Sequence, residues 1–294
     1  MIYTGWLGRE EEGKAYVKNM DRFIPCSFKD TPKDHEYLWD YMKTLNNGRN
    51  LRTFTQETGD CVSAASKHAV EYIQAVQRVE DRDPLKFRRV FSPYIYGVSR
   101  TDKDCGNGRL GRSAGSVGAW AVVGMQNHGI LFVDDDGVPE YSGSLADKWG
   151  YRGVPKEFYD IASDNPVKGV SKVTCVAQLR SALLNKCPVI IGSQWGFRAK
   201  MENDHIVYKR NGTWGHEMVF IGWQDKPFPG AFRLNSWYPL IDDSSASKDL
   251  KQPHGEPDGG AWCYAEDLEK EIKESELYAL YSFKGHAGTG RFFI

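Results

Sequence analysis

The sequence predicts an α+β protein in two halves, with helices first and strands second. Three observations carry that expectation. Apolar residues recur at three- and four-residue intervals through 62–79, the signature of an amphipathic helix. They alternate through 217–223, and the turn cluster at 224–230 separates that run from a second one at 231–237. Order along the chain therefore places helical material before a strand-rich remainder.

Composition bounds the function classes. The chain has 294 residues, 40% hydrophobic and 26% charged, enough to bury a core without disulfides or metals. Lys+Arg is 38 against Asp+Glu 39, a formal charge of −1, which argues against a nucleic-acid partner. Apolar runs such as 188–191 are far too short to span a membrane, and residues 1–6 carry neither the basic nor the apolar region of a signal peptide. The expected location is cytoplasmic, or within a larger assembly, with no membrane partner and with reduced thiols. The six cysteines contain no C-x-x-C pair, so zinc-ribbon and thioredoxin-type sites fail on spacing, and neither metal nor cofactor is expected.

Residues 1–50 read as a polar N-terminal extension with one short helix at 34–45, where Leu38, Tyr41, Met42 and Leu45 share a face. Residues 51–130 form the helical half and 131–294 the β-rich half. The first long helix follows Asp60, a residue suited to the N-cap, and carries Val62, Ala65, Ala69, Ile73, Val76 and Val79 on its buried stripe over about twenty residues. A second helix is expected at 113–128, with Val117, Trp120, Ala121 and Met125 inward and Gly129 as its stop. The stretch 130–172, rich in Asp, Gly, Pro and Tyr, reads as long connections with short strands. A third helix at 175–186, capped by Thr174, leads through Pro188 into a strand at 189–192. Beyond the hairpin, strands at 262–264 and 277–283 flank a short helix at 266–273.

Three motif matches lack their context. Residues 106–111 satisfy G-x-G-x-x-G, but no strand precedes them to form a dinucleotide-binding turn. Residues 111–115 satisfy G-x-S-x-G, again with no feeding strand, so Ser113 reads as a loop residue near a helix start. The run Asp134-Asp135-Asp136-Gly137 lacks the terminal Glu of a calcium loop and reads as a solvated turn.

One constellation has the elements of a reaction. Cys61 follows the N-cap of the long helix, where unpaired N–H groups and the dipole favour a thiolate, although Asp60 opposes this. His216 and Asn235 stand on the two hairpin strands at the end away from the turn, where they can approach each other. A nucleophilic Cys needs a base and a third group that orients it, and an Asn oxygen can hold the imidazole without adding a full charge.

The segments around these residues resemble the papain-like cysteine peptidases. Gln56-Glu57-Thr58-Gly59-Asp60-Cys61 is similar to the family's Gln…Gly-x-Cys segment, and Gly215-His216-Glu217-Met218-Val219 to its His-bearing strand. Asn235-Ser236-Trp237 resembles its Asn-Ser-Trp signature. Ser92-Pro93-Tyr94 and Gly259-Gly260-Ala261-Trp262 follow the same order. The resemblance implies a two-part fold, with a helical half carrying the Cys helix and an antiparallel β-barrel half carrying His and Asn. It also implies Cys61 as nucleophile, His216 as base, Asn235 as its orienter, Gln56 in the oxyanion hole and Trp237 shielding the His–Asn pair.

The expected function is a thiol hydrolase that cleaves amide bonds of a peptide or protein substrate through an acyl-enzyme on Cys61. The alternative is an assembly protein, for example a virion component, with an idle or single-use site on the same scaffold. The sequence departs from the family in four places. Gln56 lies five residues before the Cys rather than six, Val62 replaces an aromatic residue, Glu217 follows the His, and Tyr238 follows Trp237. Glu217 and Tyr238 are expected close to the cleft. No inhibitory pro-region with long helices is legible in residues 1–55.

Overall fold

The computed structural model describes residues 3–8, 33–82, 86–105, 110–236, 252–253 and 255–283. Strand β1 (His35–Tyr37) runs directly into helix α1 (Leu38–Leu45), a later start than the sequence predicts. Helix α2 (Cys61–Glu80) matches its expected length, but every residue from Cys61 to Arg78 is buried, the polar face included. That face is satisfied internally. Lys67 Nζ donates to the Glu71 carboxylate and to the Val90 carbonyl, and Glu71 Oε1 also accepts from Arg89 Nε at 2.8 Å and Val90 N at 3.0 Å. Burial alone would raise the Glu71 pKa, and the Lys67 and Arg89 charges hold it well below the usual carboxylate range instead. Gln74 clasps Arg88 through both its backbone N–H and its carbonyl, which fixes the approach to helix α3 (Ser92–Thr101). Asp60 occupies the N-cap position without capping: its Oδ2 accepts from Tyr141 Oη at 3.1 Å.

Helix α4 (Gly118–Asn127) begins five residues later than expected. The reason lies in Arg100, whose guanidinium donates to the carbonyls of Gly111 (2.8 Å), Ser113 (2.7 Å) and Gly115, while its Nε takes Gly150 (2.9 Å). Carbonyls turned toward one cation cannot point along a helix axis. Gly111 and Gly115 supply the positive φ, +71° and +109°, that this loop requires. Between 130 and 172 the structure has two helices, α5 (Gly143–Arg152) and α6 (Lys156–Ser163), where connections are expected, before strand β2 (Val167–Val173). Ser142 caps α5 by accepting from Leu145 N. The helix buries only Gly143, Ala146, Trp149 and Gly150, too thin a stripe to read from sequence. Gly97 and Gly150 let α3 and α5 touch: a Cβ on Gly150 would lie 2.7 Å from Tyr96. The Asp134–Asp135 turn pairs with Arg88.

The second half contains helix α7 (Val176–Leu184), strands β3 (Val189–Glu202), β4 (His205–Gln224), β5 (Gly230–Leu234) and β6 (Gly260–Tyr264), helix α8 (Ala265–Glu271) and strand β7 (Glu276–Phe283). Gln178, not a Thr174 hydroxyl cap, organises the start of α7 by accepting from both Thr174 N and Oγ1. The strands pair in the order β2-β7-β3-β4-β5-β6, with β1 on β4. Among the described strands β1–β7 the pairings are antiparallel except at Val207 with Trp262, where the early part of the long β4 meets β6 and curls the sheet. One core lies between α2, α3, α4 and the sheet, around Trp120, Phe91, Val219 and Leu234. The other fills the curl, around Leu179, Leu183, Phe220 and Leu268. The fold is α+β. Among the described residues no helix is long and apolar enough to cross a membrane.

The Glu71 network predicts a measurable loss. Glu71→Gln strands Lys67 as a buried charge and is expected to lower the unfolding free energy by about 3–5 kcal/mol at neutral pH. Because the Glu71 pKa is depressed, the contribution is full above its unfolded pKa and fades as pH falls toward the folded value. Urea unfolding measures it, and a loss below about 1 kcal/mol would show that the network contributes little.

Candidate active site

Cys61 is the first residue of α2, and α2 lies against β4. His216 stands in β4 opposite Ser193 of β3, and Asn235 follows β5 directly. The register brings the last two together, with His216 Nε2 2.8 Å from Asn235 Oδ1. Asn235 Oδ1 also accepts from Ser236 N at 2.7 Å, so it is the amide oxygen that faces the ring. Nε2 is then the donor, and Nδ1 is left as the basic nitrogen of the neutral imidazole. All three residues are buried.

Gln56, also buried, bridges the halves. Its Oε1 accepts from Ser236 Oγ, its backbone N–H donates to the Ser236 carbonyl, and its Nε2 donates to Thr58 O (2.7 Å) and Tyr3 O (3.1 Å). The Tyr3 carbonyl belongs to an element that the sequence does not announce. Residues Tyr3 to Gly8 run between the two halves, with Trp6 bridged to Ser116. Gly5 N and Trp6 N both donate to Gly215 O on the sheet side, at 3.1 and 3.3 Å. On the helical side Ser116 N donates to Gly5 O (2.7 Å) and Leu7 N to Ser116 O (3.0 Å). Residue size makes the fit possible. A Cβ on Gly5 would sit 1.9 Å from the Gly59 carbonyl oxygen, and one on Gly215 would sit 2.2 Å from the Trp6 carbonyl oxygen.

Covering sets the electrostatics. Burial pushes the Cys61 thiol well up, and the Glu217 and Asp60 carboxyls push further, against hydrogen bonds from the backbone of Glu217 and Gly5. Burial drives His216 down to about 3, with the Asn235 hydrogen bond opposing and Arg233 assisting. In this closed state the pair is a neutral thiol and a neutral imidazole.

No protein-family model matches the chain, and no curated protein matches it in sequence. Solved structures do match its shape. Xylellain, a cysteine protease from Xylella fastidiosa, superposes with a TM-score of 0.64 at 14% identity, covering 94% of this chain and 95% of that one. ProCathepsin B S9 from Trypanosoma congolense gives 0.57 at 9% identity, over 94% and 85%. The proform of the ragweed pollen cysteine protease Amb a 11 gives 0.51 at 14%, over 94% and 75%. The fold is papain-like.

Hydrogen bonds bring the expected site residues into one neighbourhood: the backbone of Glu217, next to His216, bonds to Cys61, His216 bonds to Asn235, and Gln56 bonds to Ser236, whereas Trp237 and Tyr238 lie outside the described residues. Glu217, expected near the cleft, is buried there, and its carboxyl acts on Cys61. The G-x-G-x-x-G match lies mostly outside the described residues, and helix α3, not a strand, precedes it. Ser113 is exposed in the Arg100-bound loop. Among the described residues one cluster is of metal-ligating type, Asp102, Cys105 and His128. It sits at the C-terminal ends of α3 and α4, whereas the cleft lies at the N-terminal end of α4. The covering strand is the main feature that sequence reasoning missed, and the small residue between Thr4 and Trp6 was its one visible signal.

The Gly5–Gly59 contact predicts how access is controlled. Gly5→Ala sets a methyl against a carbonyl oxygen, an overlap of a kind that costs about 1–3 kcal/mol. The strand should then leave the cleft more often, and iodoacetamide should alkylate Cys61 about tenfold faster, since about 1.4 kcal/mol corresponds to one decade. Peptide mapping reads the rate, and equal rates in the two chains would mean that the strand does not govern access.

Proposed function

We propose that this protein is a papain-like cysteine peptidase, acting on peptide or protein substrates and held closed by its own N-terminal strand. The observation that carries this reading is the His216–Asn235 hydrogen bond, lying in the same cleft as a helix-terminal cysteine and an extended peptide bound to both walls. An arrangement that already hydrogen-bonds one peptide along its length can bind another in its place.

In the open state the thiol proton passes from Cys61 to His216 Nδ1, and the sulfur attacks the substrate carbonyl carbon. The carbonyl oxygen becomes an oxyanion. Gln56 Nε2, which now donates to the Tyr3 carbonyl, is the donor suited to stabilise it. As the C–N bond breaks, His216 returns its proton to the departing amine, leaving a thioester on Cys61. Water then attacks the thioester, giving one proton to His216, and the acid product leaves as the thiol re-forms. Asn235 keeps the ring oriented through both transfers. Two of the solved structures of similar shape are themselves proforms, in keeping with a closed starting state.

The test uses the Gly5→Ala chain, so that covering and chemistry are separated. Iodoacetamide at about pH 5.5 should label Cys61 far faster than an ordinary thiol, whose pKa is about 8.5. Adding His216→Ala should abolish that excess. On a peptide library, Cys61→Ala should remove hydrolysis and His216→Ala should lower kcat/KM by roughly 10²–10⁴-fold. Gln56→Ala should cost about 10²-fold in kcat. Labelling of Cys61 no faster than the other cysteines in the folded, opened chain would overturn the reading.

A further inference from the structure

Away from the cleft, the ends of α3 and α4 bring together three groups that the chemistry above does not use. Asp102 is the C-cap of α3, His128 is the C-cap of α4, and Cys105 lies in the turn that follows Asp102. A carboxylate oxygen of Asp102, the Cys105 sulfur and a ring nitrogen of His128 all lie within 4.8 Å of one another. Each is held by its surroundings. Asp104 N donates to Asp102 Oδ1 at 2.8 Å, which leaves Oδ2 to face His128 Nε2 at 3.4 Å. His128 N donates to Gly124 O at 2.8 Å, and Tyr94 Oη donates to the His128 carbonyl at 3.0 Å. Tyr159 stands edge-on to the imidazole, with ring centroids 5.3 Å apart, and its hydroxyl hydrogen-bonds Asp102. Cys105 is 3% exposed, and Gly124 makes room for it, since a Cβ there would lie 3.3 Å from the sulfur.

An Asp–His ion pair alone accounts poorly for this geometry. Charge-assisted N–H···O bonds are about 2.7–2.9 Å long. Here the approach is 3.4 Å, and His128 Nε2, a buried atom, has no hydrogen-bond partner. Two ligand atoms each about 2.0–2.1 Å from a tetrahedral zinc ion stand about 3.4 Å apart, so the spacing is that of two ligands rather than of donor and acceptor. Electrostatics point the same way. The carbonyl ends of two helices meet at this place, where their dipoles favour a cation, and the last turn of α4 carries no basic residue. The one in the last turn of α3, Arg100, is engaged with the carbonyls of residues 111–115. A thiolate and an imidazole beside one carboxylate suit zinc and its transition-series neighbours, whereas magnesium and calcium take oxygen ligands. The Asp102 and His128 side chains are each 18% exposed, which gives an ion its path from solvent.

We propose that Asp102 Oδ2, Cys105 Sγ and His128 Nε2 form a binding site for a divalent transition-metal ion of the zinc type, which fastens the turn after α3 to the end of α4. Binding forms one bond from the metal to each of the three atoms and displaces the Cys105 thiol proton to solvent; no electron is transferred. A water completes four-coordination on the exposed side. The ion then acts as a clamp between two helices that meet the cleft at their other side, and it stabilises the folded chain by binding it in preference to the unfolded one. The expectation of no metal rests on cysteine spacing, which is blind to a set assembled from two helix ends. Nothing in this assignment depends on the peptidase reading.

Cobalt(II) is the probe, because its thiolate charge-transfer and ligand-field absorption report sulfur ligation and four-coordination. The full chain carrying Cys61→Ala, which removes the cleft thiol as a competing ligand, is stripped with a chelator and titrated. One equivalent of cobalt should bind with a Kd of about 1 µM or below and give the thiolate band. Zinc should bleach that band and raise Tm, and a large excess of magnesium should do neither. Cys105→Ser should remove the band, and His128→Gln and Asp102→Asn should each weaken binding by at least about tenfold. Cys175→Ser, at the start of α7, should change nothing. The two variants at partly exposed side chains keep the test decisive if Cys105→Ser, at a buried one, does not fold. Three results would overturn the proposal: no thiolate band in the parent chain, a band that survives Cys105→Ser, or unchanged binding in both His128→Gln and Asp102→Asn.

Discussion

The whole arrangement depends on helix α2 being buried from its first turn almost to its last. A helix so enclosed must satisfy polar side chains without water, and the Lys67–Glu71–Arg89 cluster and the Gln74 clasp do so. They also anchor residues 88–90 and hence the start of α3. Because the helix cannot shift without breaking these contacts, its N-terminus is a fixed point, and Cys61 stands on it. The sheet half supplies the matching fixed point through β4 and β5, whose pairing sets the distance between His216 and Asn235. Gln56 and Ser236 then tie one half to the other beside the reactive residues.

Much of this frame was legible in the sequence because it rests on local patterns. The 3.6-residue stripe of 62–79 and the alternation of 217–223 each report which side faces a core, and they put Cys61 at the start of a buried helix and Asn235 at the end of a strand; His216, expected at the first residue of its strand, instead lies within β4, which already begins at His205. The resemblance to papain-like proteins supplied what patterns cannot, namely that the two halves face each other. Other features depend on partners far away in sequence. The late start of α4 follows from Arg100 gathering carbonyls of residues 111–115, and α5 rests on glycines in two helices. Neither leaves a periodic trace.

The covering strand was illegible for a different reason. Residues 3–8 have no regular pattern, and their conformation is imposed by the two walls they lie between, Gly215 on one side and Ser116 on the other. From sequence, Glu217 is a charge expected near the cleft. Its place in a carboxyl pair appears only when the β3, β4 and β7 registers are superimposed, since Glu276 is 59 positions away in sequence. Such long-range rows are set by sheet topology and are invisible to any window along the chain.

The strand that covers Cys61 belongs to the same polypeptide as the cleft, and this has a kinetic consequence. A tethered segment competes at an effective concentration set by its connection and independent of how dilute the protein is. A strand of six residues with modest intrinsic affinity can therefore outcompete free peptides while the connection is intact. Once a single bond between the strand and the body is cut, dilution alone favours its departure, and rebinding becomes a bimolecular event. Severing the chain therefore shifts the cleft from covered toward open without any change in the contacts that the strand makes.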